Sequence, residues 1–382
     1  MKKYIDIKID NLPLCESVKN EIETLLNNQN PLLNDELDQM WYLLDLVWDK
    51  FGCDNEVLDW KKISKFYSHP VWLLNGLFIE QHPISIGHRE IITKWIATKR
   101  FHSILDYGGG FGTLARFISE NTKVNNIDIF EPHPSEFGLK RLNQYDNISV
   151  INKIEKKYDC LISTDVLEHI DNPLEIFVEM IQCVKINGYL IVANCFRPVI
   201  KCHLPKTFDL EYTFDIFAVF FGLEIIGKLE NSHAIIYKKT IDKTSSNVEL
   251  SQLKQESERL YKRIQTSDVN NTETKKVLLN KSLYKLFAVF EELKKTNEKY
   301  IIYGAGTGAK LLILYLKDNI EFIVDKNTTL KELNQINVLT PDELYQTNNR
   351  IIISVFGREN EIIDTLVNIY KIDKNRLIVL EV

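Results

Sequence analysis

Residues 103–112 read Ser-Ile-Leu-Asp-Tyr-Gly-Gly-Gly-Phe-Gly. A short apolar run closed by an acid leads straight into a cluster of glycines. The pattern predicts a buried strand, SILDY (103–107), then a tight turn, then the helix TLARFISE (113–120). Glycine lets the backbone bend with positive φ and lets a ligand approach the peptide groups closely. The start of the following helix leaves amide N–H groups free to meet it.

Working outward, short apolar runs alternate with helical patterns. NNIDIFE (125–131), ISVIN (148–152), YDCLIST (158–164) and GYLIVANCF (188–196) read as strands, and LEIIGKLENSHAIIYKK (223–239) as two more. SEFGLKRLNQY (135–145) and NPLEIFVEMIQCV (172–184) read as helices. This alternation predicts a mostly parallel sheet with helices on both faces. The fold class is therefore α/β, a Rossmann-like domain over 101–240.

Residues 1–100 read as a helical cap and substrate-binding region. Leu14, Val18, Ile22 and Leu25 mark one helix. Leu37, Met40, Trp41, Leu44, Val47, Trp48 and Phe51 mark another, with Asn34 as N-cap and Gly52 as the stop. Ile91, Ile92, Trp95 and Ile96 mark a third. Residues 241–298 read as a helical linker, with helices over 248–265 and 281–297 around a polar loop, 267–276. At 299 a second, smaller Rossmann-like region begins and runs to 382: strands KYIIYG, EFIVD, RIIISV and RLIVL, with a helix over 359–370.

The composition narrows the partners. Lys and Arg number 47 against 53 Asp and Glu, a formal charge of −6, which speaks against nucleic acid or an anionic membrane. No apolar run reaches the roughly 18 residues of a membrane span, and the opening MKKYIDIKIDNL has no signal-like core. The six cysteines form no C-x-x-C pair, as expected of reduced thiols in a cytoplasmic protein.

Two acids sharpen the glycine turn. Asp106 stands at the strand end, two positions before the first glycine, where a carboxylate suits an ammonium group and offers nothing to a pyrophosphate. Glu131 closes the second strand, 25 positions on, where a carboxylate can accept bonds from two ribose hydroxyls. The segment Tyr158–Pro173, YDCLISTDVLEHIDNP, supplies another block. With the D-x-G-x-G-x-G turn it resembles the class I S-adenosylmethionine-dependent methyltransferase superfamily, in the branch of the ubiquinone-biosynthesis O-methyltransferases. The resemblance covers about residues 95–240. It implies that S-adenosylmethionine is the cofactor. Asp106, Tyr107, Gly108, Gly109 and Gly110 would hold its methionyl part, Glu131 its ribose, and residues near Asn152 its adenine. Thr164, Asp165 and Val166 would pass beneath the sulfonium. The segment NKIEKKYD departs from the family by lacking an acid for the adenine.

A hydroxyl acceptor must lose a proton, and a neutral histidine suits that step. His169 and His203, the latter in CFRPVIKCHLPKTFDLEY, are the candidates. His69, His82 and His88, with Tyr67 and Trp72, are read as lining the lid or as helix packing. Asp165, Glu168 and His169 stand at i, i+3, i+4 spacing, an arrangement some relatives use for a divalent metal. The reading adopted is that no metal binds and that Glu168 and His169 organise the strand-to-helix turn.

In the last region Gly304-Ala305-Gly306-Thr307-Gly308-Ala309 fits G-x-G-x-x-A, and Asp325 lies 21 positions after Gly304. The region resembles small Rossmann domains of bacterial sugar-modifying enzymes, among them sugar C-methyltransferases, whose cysteine-rich zinc region this chain lacks. The resemblance implies either a nucleotide-sugar bound at Gly304–Gly308 or a structural subdomain. The expected function is methyl transfer to a hydroxyl of a sugar, nucleotide-sugar or surface-glycan precursor. The alternatives are a non-catalytic binding or assembly protein, and an NAD-dependent oxidoreductase using the second turn. Partners are then a small-molecule or glycan substrate and, in a homo-oligomer, a second copy of the chain.

Overall fold

The structure is a computed structural model describing residues 5–9, 11–243, 247–265, 289–290, 292–326, 330–355 and 358–380. The chain divides into two compact units: Met1–Glu211 with Phe221–Thr244, and Tyr212–Phe220 with Ser245–Val382.

The first unit opens with five helices: α1 (Glu16–Asn27), α2 (Glu36–Lys50), α3 (Trp60–Tyr67), α4 (Pro70–Gln81) and α5 (Pro83–Ala97). The N-cap of α2 is Asp35, one position after the Asn34 expected from sequence. Its carboxylate accepts from Leu37 N at 2.8 Å and Asp38 N at 3.1 Å, satisfying two amides the helix start leaves open. Met40, Leu43, Val47, Trp48, Phe66 and Leu74 share one buried core, which also takes in Phe137, Ile200 and Cys202 from the α/β part. Truncating a ring such as Phe66 to alanine there costs about 3–5 kcal/mol. The helical region and the first α/β region therefore form one unit.

Seven strands follow: β1 (Ser103–Tyr107), β2 (Asn126–Phe130), β3 (Ile148–Ile151), β4 (Tyr158–Thr164), β5 (Val184–Ala193), β6 (Leu223–Lys228) and β7 (Ile235–Lys239). They lie in the order β3-β2-β1-β4-β5-β7-β6. β1 to β5 are parallel, and β7 runs antiparallel between β5 and β6. Ile104, Leu105, Leu161, Ile162, Leu190 and Ile191 are fully buried, as continuous apolar runs are in parallel strands covered on both faces. From β1 the chain builds outward on one side to β2 and β3, then returns to build β4 and β5 on the other. That reversal leaves a crevice at the C-terminal ends of β1 and β4, where ligands of open α/β sheets sit.

Helix α6 (Thr113–Asn121) follows β1, α7 (Glu136–Leu142) follows β2 and α8 (Pro173–Gln182) precedes β5. The buried Lys239 Nζ donates to Ile181 O and Val184 O, closing the end of α8. A further helix, α9 (Leu210–Phe220), lies between the segment that holds His203 and β6, where the sequence pattern predicted no element. Its residues 212–220 cluster with the second unit: Ile216 shares a core with Phe290, Tyr300 and Ile313.

The second unit contains α10 (Asn247–Gln265) and six strands: β8 (Tyr300–Tyr303), β9 (Ile320–Val324), β10 (Glu332–Leu333), β11 (Ile336–Leu339), β12 (Arg350–Ile353) and β13 (Leu377–Val379). Their order is β10-β11-β9-β8-β12-β13, parallel apart from the β10–β11 pair. The helix expected over 359–370 is α-helical to Asp364 and a π turn beyond. The expected loop 267–276, and residues 281–288 and 291 of the expected helix, lie outside the described residues; 289–290 and 292–295 are helical. Among the described residues no helix is long and apolar enough to cross a membrane.

Candidate active site

The site grows out of the end of β1. Gly108 N donates to Phe130 O at 2.8 Å, so the chain leaves the sheet still tied to β2. Gly108, Gly110 and Gly112 then take φ values of +70°, +51° and +75°, a region costing other L-residues about 1–2 kcal/mol. A Cβ on Gly108 would stand 2.5 Å from Val166 Cγ2, and one on Gly109 2.8 Å from Asp106 Oδ2. A Cβ on Gly110 would meet nothing within 4 Å. The first two glycines thus let the turn pack down, and the third faces open space.

Asp106 lies under this turn, 2% exposed, and its Oδ2 is buried with no hydrogen-bond partner. Burial lifts its carboxyl to about 7; Arg89 opposes the rise and Glu131 adds to it. Glu131 holds the turn through Oε2, which accepts from Gly110 N at 2.8 Å, while Oε1 accepts from His133 N in its own loop at 2.9 Å. From α5, Arg89 is held by Nη1 donating to Ser85 O at 3.0 Å. Burial lowers its guanidinium pKa, and the charges of Asp165 and Asp106 work against that.

Past β4, Asp165 takes φ +54°, an unusual conformation for a residue other than glycine. Its Oδ1 lies 2.8 Å from His233 Nε2, in the connection between β6 and β7. The Asp165 side chain is 41% exposed, and the protein packed around it pushes its carboxyl up, but the His233 hydrogen bond and the charges of His233 and Arg89 outweigh that and hold the group below its ordinary value.

Leu167–His169 form one 3₁₀ turn. The buried Glu168 accepts from Cys195 N at 2.8 Å through Oε1, while Oε2 has no partner, and its backbone carbonyl accepts from Leu204 N at 2.9 Å. Burial, helped by the charge of Asp165, lifts the Glu168 carboxyl to about 8. His169 Nδ1 sits 3.0 Å from Cys202 O, and His203 Nδ1 sits 2.7 Å from Arg197 O. A carbonyl only accepts, so both neutral rings carry their proton on Nδ1 and offer Nε2 as a lone pair. The rings meet edge to face at 4.8 Å. Burial, then His203, pushes His169 down to about 3, and burial also lowers His203. Glu168, His169 and His203 set one donor atom each within 4.8 Å of one another, a spacing a cation could bridge. Asp165, the acid that spacing alone grouped with Glu168 and His169, is engaged by His233 instead.

Residues 87–209 match a family described as a methyltransferase domain. A ubiquinone biosynthesis O-methyltransferase of Rickettsia canadensis is 28% identical over 155 residues, which cover 37% of this chain and 65% of that protein. One from Coxiella burnetii is 22% identical over 169 residues, covering 42% and 71%. The solved structure of the mitomycin 7-O-methyltransferase MmcR is 16% identical, covers 43% of this chain and 56% of its own, and has a TM-score of 0.34. The chain thus spans just under two thirds of the length of the Rickettsia relative. It carries a class I methyltransferase domain. The cofactor of such a domain is S-adenosylmethionine.

In this methyltransferase domain the expected residues Asp106, Tyr107, Gly108, Gly109, Gly110, Glu131, Thr164, Asp165 and Val166 lie at the C-terminal ends of β1, β2 and β4. The ring of Tyr107 packs against Phe130, centroids 5.0 Å apart. Two polar residues at the same place were not singled out by the sequence reading. Arg89 carried a signal: with Ile92, Thr93 and Ile96, all buried, it lies on the inward stripe of α5, where an arginine needs a reason. His233 carried none, since it follows β6 by chain and reaches Asp165 only through the antiparallel return of β7. Of the other histidines, His69 caps α4 and meets Glu21 at 3.1 Å, and His82 stacks on Phe78 beside Ser85. Both are structural. His88 faces His233, ring centroids 5.6 Å apart, while Tyr67 and Trp72 stack on each other and turn edges toward His169.

The second unit repeats the backbone of the turn. Gly304 N donates to Val324 O at 2.7 Å, and Ala305 N to Asp325 Oδ2 at 2.6 Å. Gly304 takes φ +102°, and a Cβ there would lie 2.3 Å from Val355 Cγ2, while Gly306 faces open space. The Tyr303 hydroxyl is buried without a partner.

Proposed function

We propose that the chain transfers a methyl group from S-adenosylmethionine to a hydroxyl oxygen of a small polar acceptor, a sugar, nucleotide-sugar or surface-glycan precursor. The observation that carries this reading is the buried, unpartnered Oδ2 of Asp106 under an open glycine turn. A buried carboxylate without a partner is costly, and an ammonium from the methionyl end would relieve that cost. Arg89 would take the methionyl carboxylate, and Glu131, at the rim, the ribose. Thr164, Asp165 and Val166 would line the passage to the sulfur. When bound, the cofactor supplies a methyl group on a positively charged, good leaving sulfur, so the protein chiefly aligns the acceptor and excludes water.

His169 and His203 form the covered side of the site, each with Nε2 available to accept a hydrogen bond from the acceptor hydroxyl. Transfer to oxygen is favoured by the similarity to O-methyltransferases. A sugar-bearing acceptor is favoured by the second glycine turn. Its open Gly306, the helix Thr307–Leu316 that follows and the unpartnered Tyr303 hydroxyl suit the phosphate and ribose of a nucleotide-sugar. The test is incubation of the full chain with methyl-labelled cofactor and a panel of sugars, nucleotide-sugars and glycan precursors, read by mass spectrometry. Label entering a hydroxyl of one of these supports the reading. Cofactor binding with label only in non-sugar compounds would limit the reading to methyl transfer.

A further inference from the structure

We infer that His233, oriented by Asp165, is the catalytic base that takes the proton of the acceptor hydroxyl. The inference rests on the methyl-transfer reading above and names a residue that reading leaves open.

The geometry is that of a base held by an acid. Asp165 is a carboxylate, which only accepts, so the 2.8 Å contact must be His233 Nε2–H donating to Oδ1. In neutral His233 the lone pair is then on Nδ1, and among the described residues no hydrogen bond reaches that atom. The side chain is 39% exposed, so a proton taken there can pass on to water. Asp165 is held in a left-handed conformation at the end of β4, beside the first glycine turn, and that conformation aims it at His233. Strain of this kind persists where the surroundings over-determine it, as at active sites.

His169 and His203 are placed differently. Each is fixed by a backbone carbonyl rather than a carboxylate, His203 is buried and His169 half-buried, and they face one another at 4.8 Å, so a positive charge on either is opposed by its surroundings. They suit binding the acceptor oxygen, and His233 suits taking its proton. In the step proposed, the acceptor oxygen bonds to the methyl carbon while the carbon–sulfur bond breaks with its electron pair onto sulfur, which becomes a neutral thioether. The hydroxyl proton passes to His233 Nδ1, and the imidazolium so formed is balanced by Asp165 before releasing its proton to water. The groups facing this pair are His88 and Arg89 from α5, and Glu168, His169 and His203 around Asp165.

The test uses the full chain loaded with S-adenosylhomocysteine and reads the His233 tautomer from its ring ¹⁵N chemical shifts, in wild type and in Asp165→Ala. Wild type is expected to carry the proton on Nε2, and loss of the carboxylate to mix in the Nδ1–H form. Turnover is then compared, with the acceptor identified by label transfer, in His233→Ala, His233→Gln and His203→Ala. His233→Ala is expected to bind cofactor within about threefold of wild type, to turn over about 100-fold more slowly, and to recover with added imidazole, while His203→Ala does not recover. An Nδ1–H tautomer in wild type, an unchanged tautomer in Asp165→Ala, or full turnover in His233→Ala overturns the inference while wild-type cofactor binding stands. A wild type that binds no cofactor overturns the methyl-transfer reading, and this inference with it.

Discussion

The two glycine turns of this chain share a backbone and differ in chemistry. In each, the first glycine donates to the last residue of the neighbouring strand, Phe130 or Val324, and an acid after that strand, Glu131 or Asp325, accepts an amide from the turn. In each, a valine after the next strand, Val166 or Val355, fills the space a side chain on the first glycine would need. Two positions before that glycine the units diverge. The first has Asp106, buried and unpartnered; the second has Ile302, fully buried among hydrocarbon. After β4 and β12, the strands that lie beside β1 and β8 on the other side, Asp165 corresponds to Ser354, whose Oγ donates back to Tyr303 O and Gly304 O. The shared backbone therefore makes a place for a ligand, and the residue at position 106 or 302 decides whether that ligand can be a cation.

The comparison breaks most sharply at that position. Asp106→Asn, which makes the first turn uncharged like the second, is expected to weaken S-adenosylmethionine binding at least 100-fold, about 3 kcal/mol, by calorimetric titration. Its effect on stability has the opposite sign. Because burial raises Asp106 to about 7 in the folded chain, ionising it there costs stability as pH climbs above its unfolded value near 4. The Asn variant without ligand should melt higher than wild type at pH 8, with the gap narrowing toward pH 5.

The rim of each turn gives a second contrast. Gly110→Val places a branched side chain at φ +51° in the space left for the ligand. Cofactor binding should be lost and stability fall by about 1–2 kcal/mol. Gly306→Val meets open space at an ordinary φ of −88°, so its melting temperature should stay within about 2 °C of wild type and cofactor affinity should not change.

Smaller effects sharpen the electrostatic side. Arg89→Met is expected to lower cofactor affinity about tenfold by removing the partner of the methionyl carboxylate. The pH dependence of wild-type affinity should rise about fivefold from pH 6 to pH 7 as Asp106 ionises, then level off as the ligand's α-amino group loses its proton near pH 8. A flat profile, in titrations corrected for buffer protonation, would mean that Asp106 does not carry the ammonium.

Both turns were legible because glycines after an apolar strand are a local signal. Asp106 and Glu131 were legible because each ends a strand next to such a turn. Arg89 was legible only in retrospect, as a charge on the buried stripe of α5. The pairing of Asp165 with His233 was not, because 68 positions separate them and the join depends on β7 returning antiparallel between β5 and β6. The grouping of residues 212–220 with the second unit escaped for the same reason. An apolar helix announces that it is buried, not which core buries it.

The amino-acid order by itself determined two α/β units, the strand ends that carry acids and the glycines that open the backbone, because each follows from neighbours within a few residues. The tertiary structure alone decided which charges face one another, which histidine rings pack together and that His233 meets Asp165. Those outcomes depend on burial and on partners distant along the chain, and a side chain's charge is set by what surrounds it once folded.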